Sequence, residues 1–455
     1  MTSKPNKYQA TIFFVALFTL IPLWNIPHTI AGRYACEGVL LLSVLFYKPE
    51  WKLFFKKNKL LVVFFIYLIF QLVFFSEDLK LAFSNFRAEW MHFILFSIIG
   101  AGVGLILGKR DPQKFLLYFG IAFSLPLLIH LTLVVTKGIS TGSIPWGYWG
   151  INKIHGDFAY PALEAAILFT TYYLYQAKTK AIRIFTTALI VICIASPLIA
   201  ASRGGVIFTV AGILFTGIAY FFIGAGKGIS ANKKIIYLIC IPILAMGIYK
   251  LGVMSDPNRW GGIVSRLSVG FEGDPSQVYC KGIDTLESAL RMKGIEITPA
   301  IQKGLDSVVD GDGARMMAAR SGIALTLQNP MGINQSKQGY QQAIQSYCGA
   351  TPKIFIAHAH NAWIDTALAI GIPGALLLLF VLMNYAKDGL MAFRKMSVTS
   401  AYGLALFSSA SMWILRGLLD STMRDQMLEM QAFILAWLLG TIISQSLIGY
   451  QSRSK

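Results

Sequence analysis

The sequence predicts an all-α protein that crosses a membrane many times, and three observations carry that expectation. First, 55% of the 455 residues are hydrophobic and only 14% are charged, whereas soluble domains carry about a quarter charged residues. Mean hydropathy is +0.59. Second, apolar runs recur along the chain, each able to cross roughly 30 Å of hydrocarbon as a helix. Third, the basic residues gather between alternate runs. The groups are Lys48, Lys52, Lys56, Lys57 and Lys59; Lys109, Arg110 and Lys114; Lys178, Lys180 and Arg183; Lys227, Lys233 and Lys234; and Lys387, Arg394 and Lys395. With Lys4, Lys7, Arg453 and Lys455 at the two ends, they make up 21 of the 40 basic residues, and only Glu50, Asp111 and Asp388 offset them. The net charge of +18 therefore reads as orientation, with both termini cytoplasmic, and requires no nucleic acid.

About twelve helical spans follow from the runs. In order they cover residues 9–26, 30–47, 60–76, 90–108, 115–136, 159–177, 184–201, 204–225, 235–253, 361–385, 398–417 and 427–449. The first has no small-residue cleavage site and is expected to stay as an anchor. The second begins with Arg33 and Glu37 and the fourth with Glu89 and His92, so these two are the least apolar at their starts. The outer connections are short except for Lys137–Phe158 and Met254–Ala359. Residues 1–253 thus form nine spans, 254–359 a large non-cytoplasmic segment, and 360–455 three more spans.

The large segment has 10 basic and 9 acidic residues, and structureless loops of its length are uncommon. Helices are expected at Asp284–Lys293 and Ala314–Gln328, the second capped by Asp310 or Asp312. Cys36, Cys193 and Cys240 fall in spans and suit apolar packing. Cys280 and Cys348 both lie in the external segment, where an oxidising space favours a disulfide.

Candidate chemistry collects at one outer mouth. His358, His360 and Asn361 precede the tenth span, where a helix N-terminus disfavours an imidazolium and leaves a neutral base. The same residues also fit an interfacial histidine with a capping asparagine. Arg203 sits between two apolar runs with almost no loop, either lining a cavity or snorkelling to the headgroups. Arg315 lies on an external helix, where its planar donors suit phosphate or simply face solvent. Arg416, Asp420, Arg424 and Asp425 flank the last outer turn and are expected to pair among themselves. Asp306, Asp310 and Asp312 lack the distal glutamate of a calcium loop. No zinc, P-loop or dinucleotide motif occurs. The chain also has no internal repeat, which weighs against many transporter architectures.

His360-Asn361, nine intervening residues, and then Gly371-Ile-Pro-Gly374 resemble the H-[NSQ]-x9-G-x-x-G signature of the O-antigen ligases. The wider group includes O-antigen polymerases and bacterial protein O-oligosaccharyltransferases. "ASRGG" at 201–205 resembles the family's Ser-Arg-Gly turn, and "ARMMAARSGIALTLQNPMG" its arginine-led helix, one residue tighter at Pro330-Met331-Gly332. The resemblance implies transfer of glycan from undecaprenyl diphosphate to a sugar hydroxyl of lipid A–core, at the periplasmic face of the inner membrane. It implies an inverting reaction with no metal and no cofactor. His360 would be the base, His358 a neighbour without a required role, and Arg203 and Arg315 the diphosphate ligands, with Arg266 a further candidate. The chain ends some five residues after the last span, without the C-terminal region common in the protein-glycosylating branch. A lipid-glycan flippase, the reading from a different class, would need charges spread through the bundle rather than collected at one mouth.

Overall fold

The computed structural model describes residues 7–152, 158–223, 230–260, 263–309, 311–395, 397 and 399–453. Lys4, Lys227, Lys455 and the proposed cap Asp310 lie outside the described residues. The described residues form helices and loops and no strand. Helices α1 (Lys7–Leu23), α2 (Ile30–Tyr47), α3 (Trp51–Lys57), α4 (Lys59–Phe74), α5 (Leu79–Ala88), α6 (Trp90–Leu107) and α7 (Pro112–Thr141) come first. Then follow α8 (Ala159–Gln176), α9 (Lys180–Ile199), α10 (Arg203–Ile218, continued by a π-turn Ala219–Ile223) and α11 (Ala231–Ser255). The stretch before the next long helix holds α12 (Pro257–Trp260), α13 (Ile263–Gly270), α14 (Pro275–Lys281), α15 (Asp284–Met292), α16 (Pro299–Asp306), α17 (Asp312–Gln328) and α18 (Gly339–Cys348). The chain returns through α19 (Ala362–Arg394), α20 (Ser400–Gly417) and α21 (Asp425–Arg453).

Every one of the twelve expected spans falls on a helix, yet the number that can cross on length and apolarity is smaller. Among the described residues seven helices pass that test, or eight if α3 and α4, bent by 85° at Asn58, count as one. Helices α8 and α20 fall short for a physical reason. They are interior helices whose polar side chains meet protein rather than lipid. Glu164 on α8 accepts hydrogen bonds from Ser409 Oγ (2.8 Å) and Trp413 Nε1 (2.6 Å) of α20. The fully buried Arg416 donates to the Ala159 carbonyl at 3.0 Å.

The charges that start the second and fourth spans are likewise paired. Arg33 meets Glu429 at 2.8 Å, and His92 Nδ1 lies 3.0 Å from Glu37. Helices α6 and α21 then pack backbone against backbone. A Cβ at Gly100 or Gly104 would stand 2.3 Å from the Phe433 carbonyl oxygen or 2.2 Å from that of Trp437. Spaced four apart with Gly108, these glycines form the small-residue stripe that lets membrane helices approach closely.

The stretch from α12 to α18 has its own apolar core. Val278, Tyr279, Leu286, Leu305, Met317 and Ile344 are buried together, and the cluster reaches Leu368 on α19. The expected helices are present as α15 and α17, but the cap differs. Gly311 occupies the N-cap position and Asp312 is the first helical residue, its carboxylate drawn away to two arginines described below. Cys280 on α14 is joined to Cys348 on α18, with 5.3 Å between the Cα atoms and a sequence separation of 68. Closing a loop of that size contributes roughly 4 kcal/mol in the chain-entropy model. Thiol labelling of denatured, non-reduced protein should leave both cysteines unmodified until reductant is added. Labelling of both beforehand would mean that packing alone holds the segment.

Candidate active site

Three places in the chain converge at one end of the bundle. The first is the start of α10, where Ser202 caps the helix by accepting from Gly205 N and sets Arg203 as its first residue. The arginine reaches 109 residues along the chain to Asp312. Its Nη1 and Nη2 donate to the two carboxylate oxygens at 3.0 and 2.8 Å. Arg266 on α13 holds the same carboxylate, with Nε and Nη2 each at 3.1 Å. Burial pushes the Asp312 carboxyl up, but the bonds from Arg203 and the charges of Arg203, Arg266 and Arg315 outweigh it and hold it below the usual range. Arg315, one turn along α17, is exposed and has no hydrogen-bond or ion-pair partner among the described residues. Two cations share one carboxylate and a third stands beside them, so this face has an excess of positive charge.

The second place is the approach to α19. Asn361 caps the helix, accepting from Trp363 N and Ile364 N at 3.0 and 3.2 Å, and donates from Nδ2 to the Leu418 carbonyl. His360 precedes it with φ of 51°, a left-handed conformation uncommon for a side chain of this size. The His358 and His360 rings meet edge to face, their centroids 4.2 Å apart. Burial, then the charges of His358 and Arg315, bring the His360 pKa down to about 3. The imidazole is therefore neutral at working pH and faces Arg315, Arg424 and Asp420 electrostatically.

The third place is the turn between α20 and α21. Its Asp420 accepts from Tyr160 Oη and Arg416 Nη2, both at 3.2 Å, and the Arg416 guanidinium lies 3.6 Å from the Tyr160 ring centroid. Burial raises the Asp420 carboxyl, but Arg416 and Arg315 hold it below the ordinary range. Arg424 pairs with Asp425 at 3.2 Å. The four charges of this turn pair as Arg416–Asp420 and Arg424–Asp425.

Gly371 and Gly374 play a different part. At Gly371 (φ 82°, ψ 162°) the helix breaks, and a Cβ there would stand 2.8 Å from the Met331 carbonyl carbon. Gly332 (φ 82°) makes the reciprocal approach. Ile333 N donates to the Leu368 carbonyl at 2.7 Å and Ile372 N to that of Pro330 at 2.9 Å. The Pro330-Met331-Gly332 turn at the end of the arginine helix is thus latched into the break. Gly374 admits Tyr67, whose hydroxyl donates to the Ile370 carbonyl at 2.7 Å.

Sequence reasoning considered Asp312 only as a cap or a cation ligand, and it passed over Asp365. Asp365 accepts from Ala359 N at 2.8 Å and from Ser421 Oγ at 2.5 Å, tying the histidine segment before α19 to the turn between α20 and α21. A carboxylate in the first turn of an otherwise apolar helix was a signal that could have found it. Among the described residues no cluster of three or more histidine, cysteine or acidic side chains could hold a metal ion.

The depressed His360 pKa has a consequence for stability. A histidine in the unfolded chain titrates near 6.5 and this one near 3, so between those values the unfolded chain binds the extra proton. The associated stability is complete above pH 6.5 and is lost as pH falls toward 3. We expect the melting-temperature difference between the parent and His360→Asn to shift against the parent as pH drops from 7.5 to 5. Asparagine tolerates the left-handed backbone, so only the pH-dependent part is diagnostic. A constant difference would contradict the buried neutral imidazole.

No curated protein matches the chain. A family model described as O-antigen ligase matches residues 187–379, a stretch from α9 into α19 that contains Arg203, Arg266, Arg315, His360, Asn361, Gly371 and Gly374. That match spans the region that builds the site, and over it the chain is similar to the O-antigen ligases.

Proposed function

We propose that the protein is an O-antigen ligase, moving a glycan from undecaprenyl diphosphate to a sugar hydroxyl of lipid A–core in the inner membrane. The observation that carries the reading is the neutral His360 facing Arg315, beside the face where Arg203 and Arg266 meet Asp312. His360 takes the proton of the acceptor hydroxyl as its oxygen attacks the anomeric carbon. The bond to the diphosphate breaks with inversion, and the arginines stabilise the charge that grows on the departing lipid diphosphate. The proton ends on His360, and the negative charge leaves with the carrier.

Bound diphosphate favours the imidazolium that this step creates, so the donor's charge raises the basicity of a histidine that is weak when alone. The reaction needs no metal or nucleotide, because the donor is already activated. Charge placement supports a periplasmic mouth with both termini cytoplasmic, and residues 254–359 as the external unit between spans 1–253 and 360–455.

A deletion strain tests the reading. Full-length glycan chains stranded on the lipid carrier support ligation. Single repeats attached to the core would instead identify a polymerase, and loss of glycan from a protein would identify an O-oligosaccharyltransferase.

A further inference from the structure

The carboxylate of Asp312 stands where a phosphate would be gripped. Arg203 meets it end-on, Nη1 and Nη2 each on a different oxygen at 3.0 and 2.8 Å. Arg266 adds Nε and Nη2, both on Oδ2 and each at 3.1 Å. Paired N–H donors facing two oxygens are also the way arginine binds phosphate. The carboxylate has no other hydrogen-bond or ion-pair partner among the described residues.

Backbone packing delivers Arg266 to this point. Helix α13 lies tight against the first turn of α17, where a Cβ at Gly313 would stand 3.1 Å from the Arg266 carbonyl oxygen and one at Gly270 2.8 Å from that of Gly313. Asp312 is the first residue of α17, and Gly311 at the N-cap provides no side-chain bond. Acidic side chains are stabilised at a helix N-terminus, so the carboxylate keeps a favourable position when it lets go of the arginines. Arg315, exposed one turn along and without a partner among the described residues, offers positive charge to an incoming anion.

A carboxylate inside an anion-binding face weakens anion binding, so its presence calls for a reason. The transfer reaction supplies one. When the glycan leaves, the diphosphate keeps the electron pair of the broken sugar–oxygen bond and carries one more negative charge than it did in the donor. Arginines alone would hold that product more tightly than the substrate, and release would limit turnover. A tethered carboxylate, present at high effective concentration, competes with the product for the same donors.

We propose that Asp312 is a displaceable stand-in for phosphate. It holds Arg203 and Arg266 while the site is empty, yields them to the donor's diphosphate, and takes them back as the spent carrier departs. The inference rests on the glycan-transfer reading and deepens it by giving the site a release step.

Calorimetric binding of inorganic pyrophosphate to the purified full-length protein, in metal-free buffer, provides the test. Asp312→Asn keeps the shape and removes the competing charge, so it should bind pyrophosphate about 10–30-fold more tightly than the parent. Breaking a buried charge pair leaves its cations under-paired, and an anion that restores the pairing gains accordingly. Asp312→Glu restores the charge and should bring the affinity back toward the parental value. In an Arg203→Ala background the gain from Asp312→Asn should shrink, because the fork that both anions sought is gone. With a lipid-linked donor, Asp312→Asn should give a burst of one turnover followed by a slower steady state.

A carboxylate that merely positions the arginines predicts the reverse, weaker pyrophosphate binding in Asp312→Asn and no burst, and either result would overturn the proposal. In the parent, pyrophosphate should also shift the carboxylate stretch of ¹³C-labelled aspartate in an infrared difference spectrum, and the shift should vanish in Asp312→Glu, which lacks the label at that position. An unshifted band overturns the proposal even where the asparagine variant does not fold. If the parent shows this binding pattern and transfers no glycan, the ligase reading fails and the stand-in role of Asp312 remains supported.

Discussion

His360→Ala is expected to lower glycan transfer by about 10²–10⁴-fold, the usual contribution of a positioned general base. The expectation rests on position. The ring is neutral, half-buried, packed edge to face on His358, and on the segment that Asp365 ties to Ser421. Removing it deletes the group that can accept the hydroxyl proton and leaves the helix cap at Asn361 intact. Alanine in the left-handed region at φ 51° costs about 1 kcal/mol, small enough for the protein to insert and fold. His358→Ala should be much milder, because its Nδ1 is buried and has no partner among the described residues. The check is single-turnover transfer from a lipid-linked donor, with thermal unfolding run in parallel. Parental activity in the His360 variant would remove the general-base assignment.

Arg203→Lys should reduce transfer by about 10–100-fold although the charge is kept, because an ammonium cannot make two parallel bonds to one anionic group. The structure supplies the geometry for this expectation. Both Nη atoms of Arg203 already grip a carboxylate, at 3.0 and 2.8 Å, and the same fork suits two oxygens of a phosphate. Arg203→Ala should be worse, since Asp312 would then depend on Arg266 alone and the cationic face would lose a third of its arginines. Donor binding and turnover measured separately give the answer. If lysine supports full activity, Arg203 serves only as a headgroup-level charge.

Much of the fold was legible because hydropathy and charge placement are local properties. The intervals from 30–47 to 427–449 all hold helices, and the turn chemistry around Asp312 marked the start of α17 to within two residues. Which of those helices sit inside the bundle was not legible. Glu164 and Arg416 lower the apolarity of α8 and α20 because they meet other helices, and a window of hydropathy cannot tell such a helix from a weak span.

The same limit applies at the site. Arg203 and His360 stood out because a charge or an imidazole at a membrane helix terminus is conspicuous on its own. Asp312 and Asp365 matter through partners 109 and 56 residues away, and no local pattern records those partners.

The latch between Gly332 and Gly371 turns the spacing of the histidine motif into a length. One end of the helical stretch from Asn361 to Gly371 is pinned by the bonds Ile372 N–Pro330 O and Ile333 N–Leu368 O, and the other carries His360. The Pro330-Met331-Gly332 turn that pins it is also the end of the helix bearing Arg315. Base and cation are therefore measured out from a common origin, along two rods of fixed residue count. One added residue in either rod would turn its tip by about 100° and move it about 1.5 Å. Misplacements of about 1 Å already cost catalysis heavily. Nine residues between Asn361 and Gly371 thus act as a gauge block, and evolution can vary their side chains far more freely than their number.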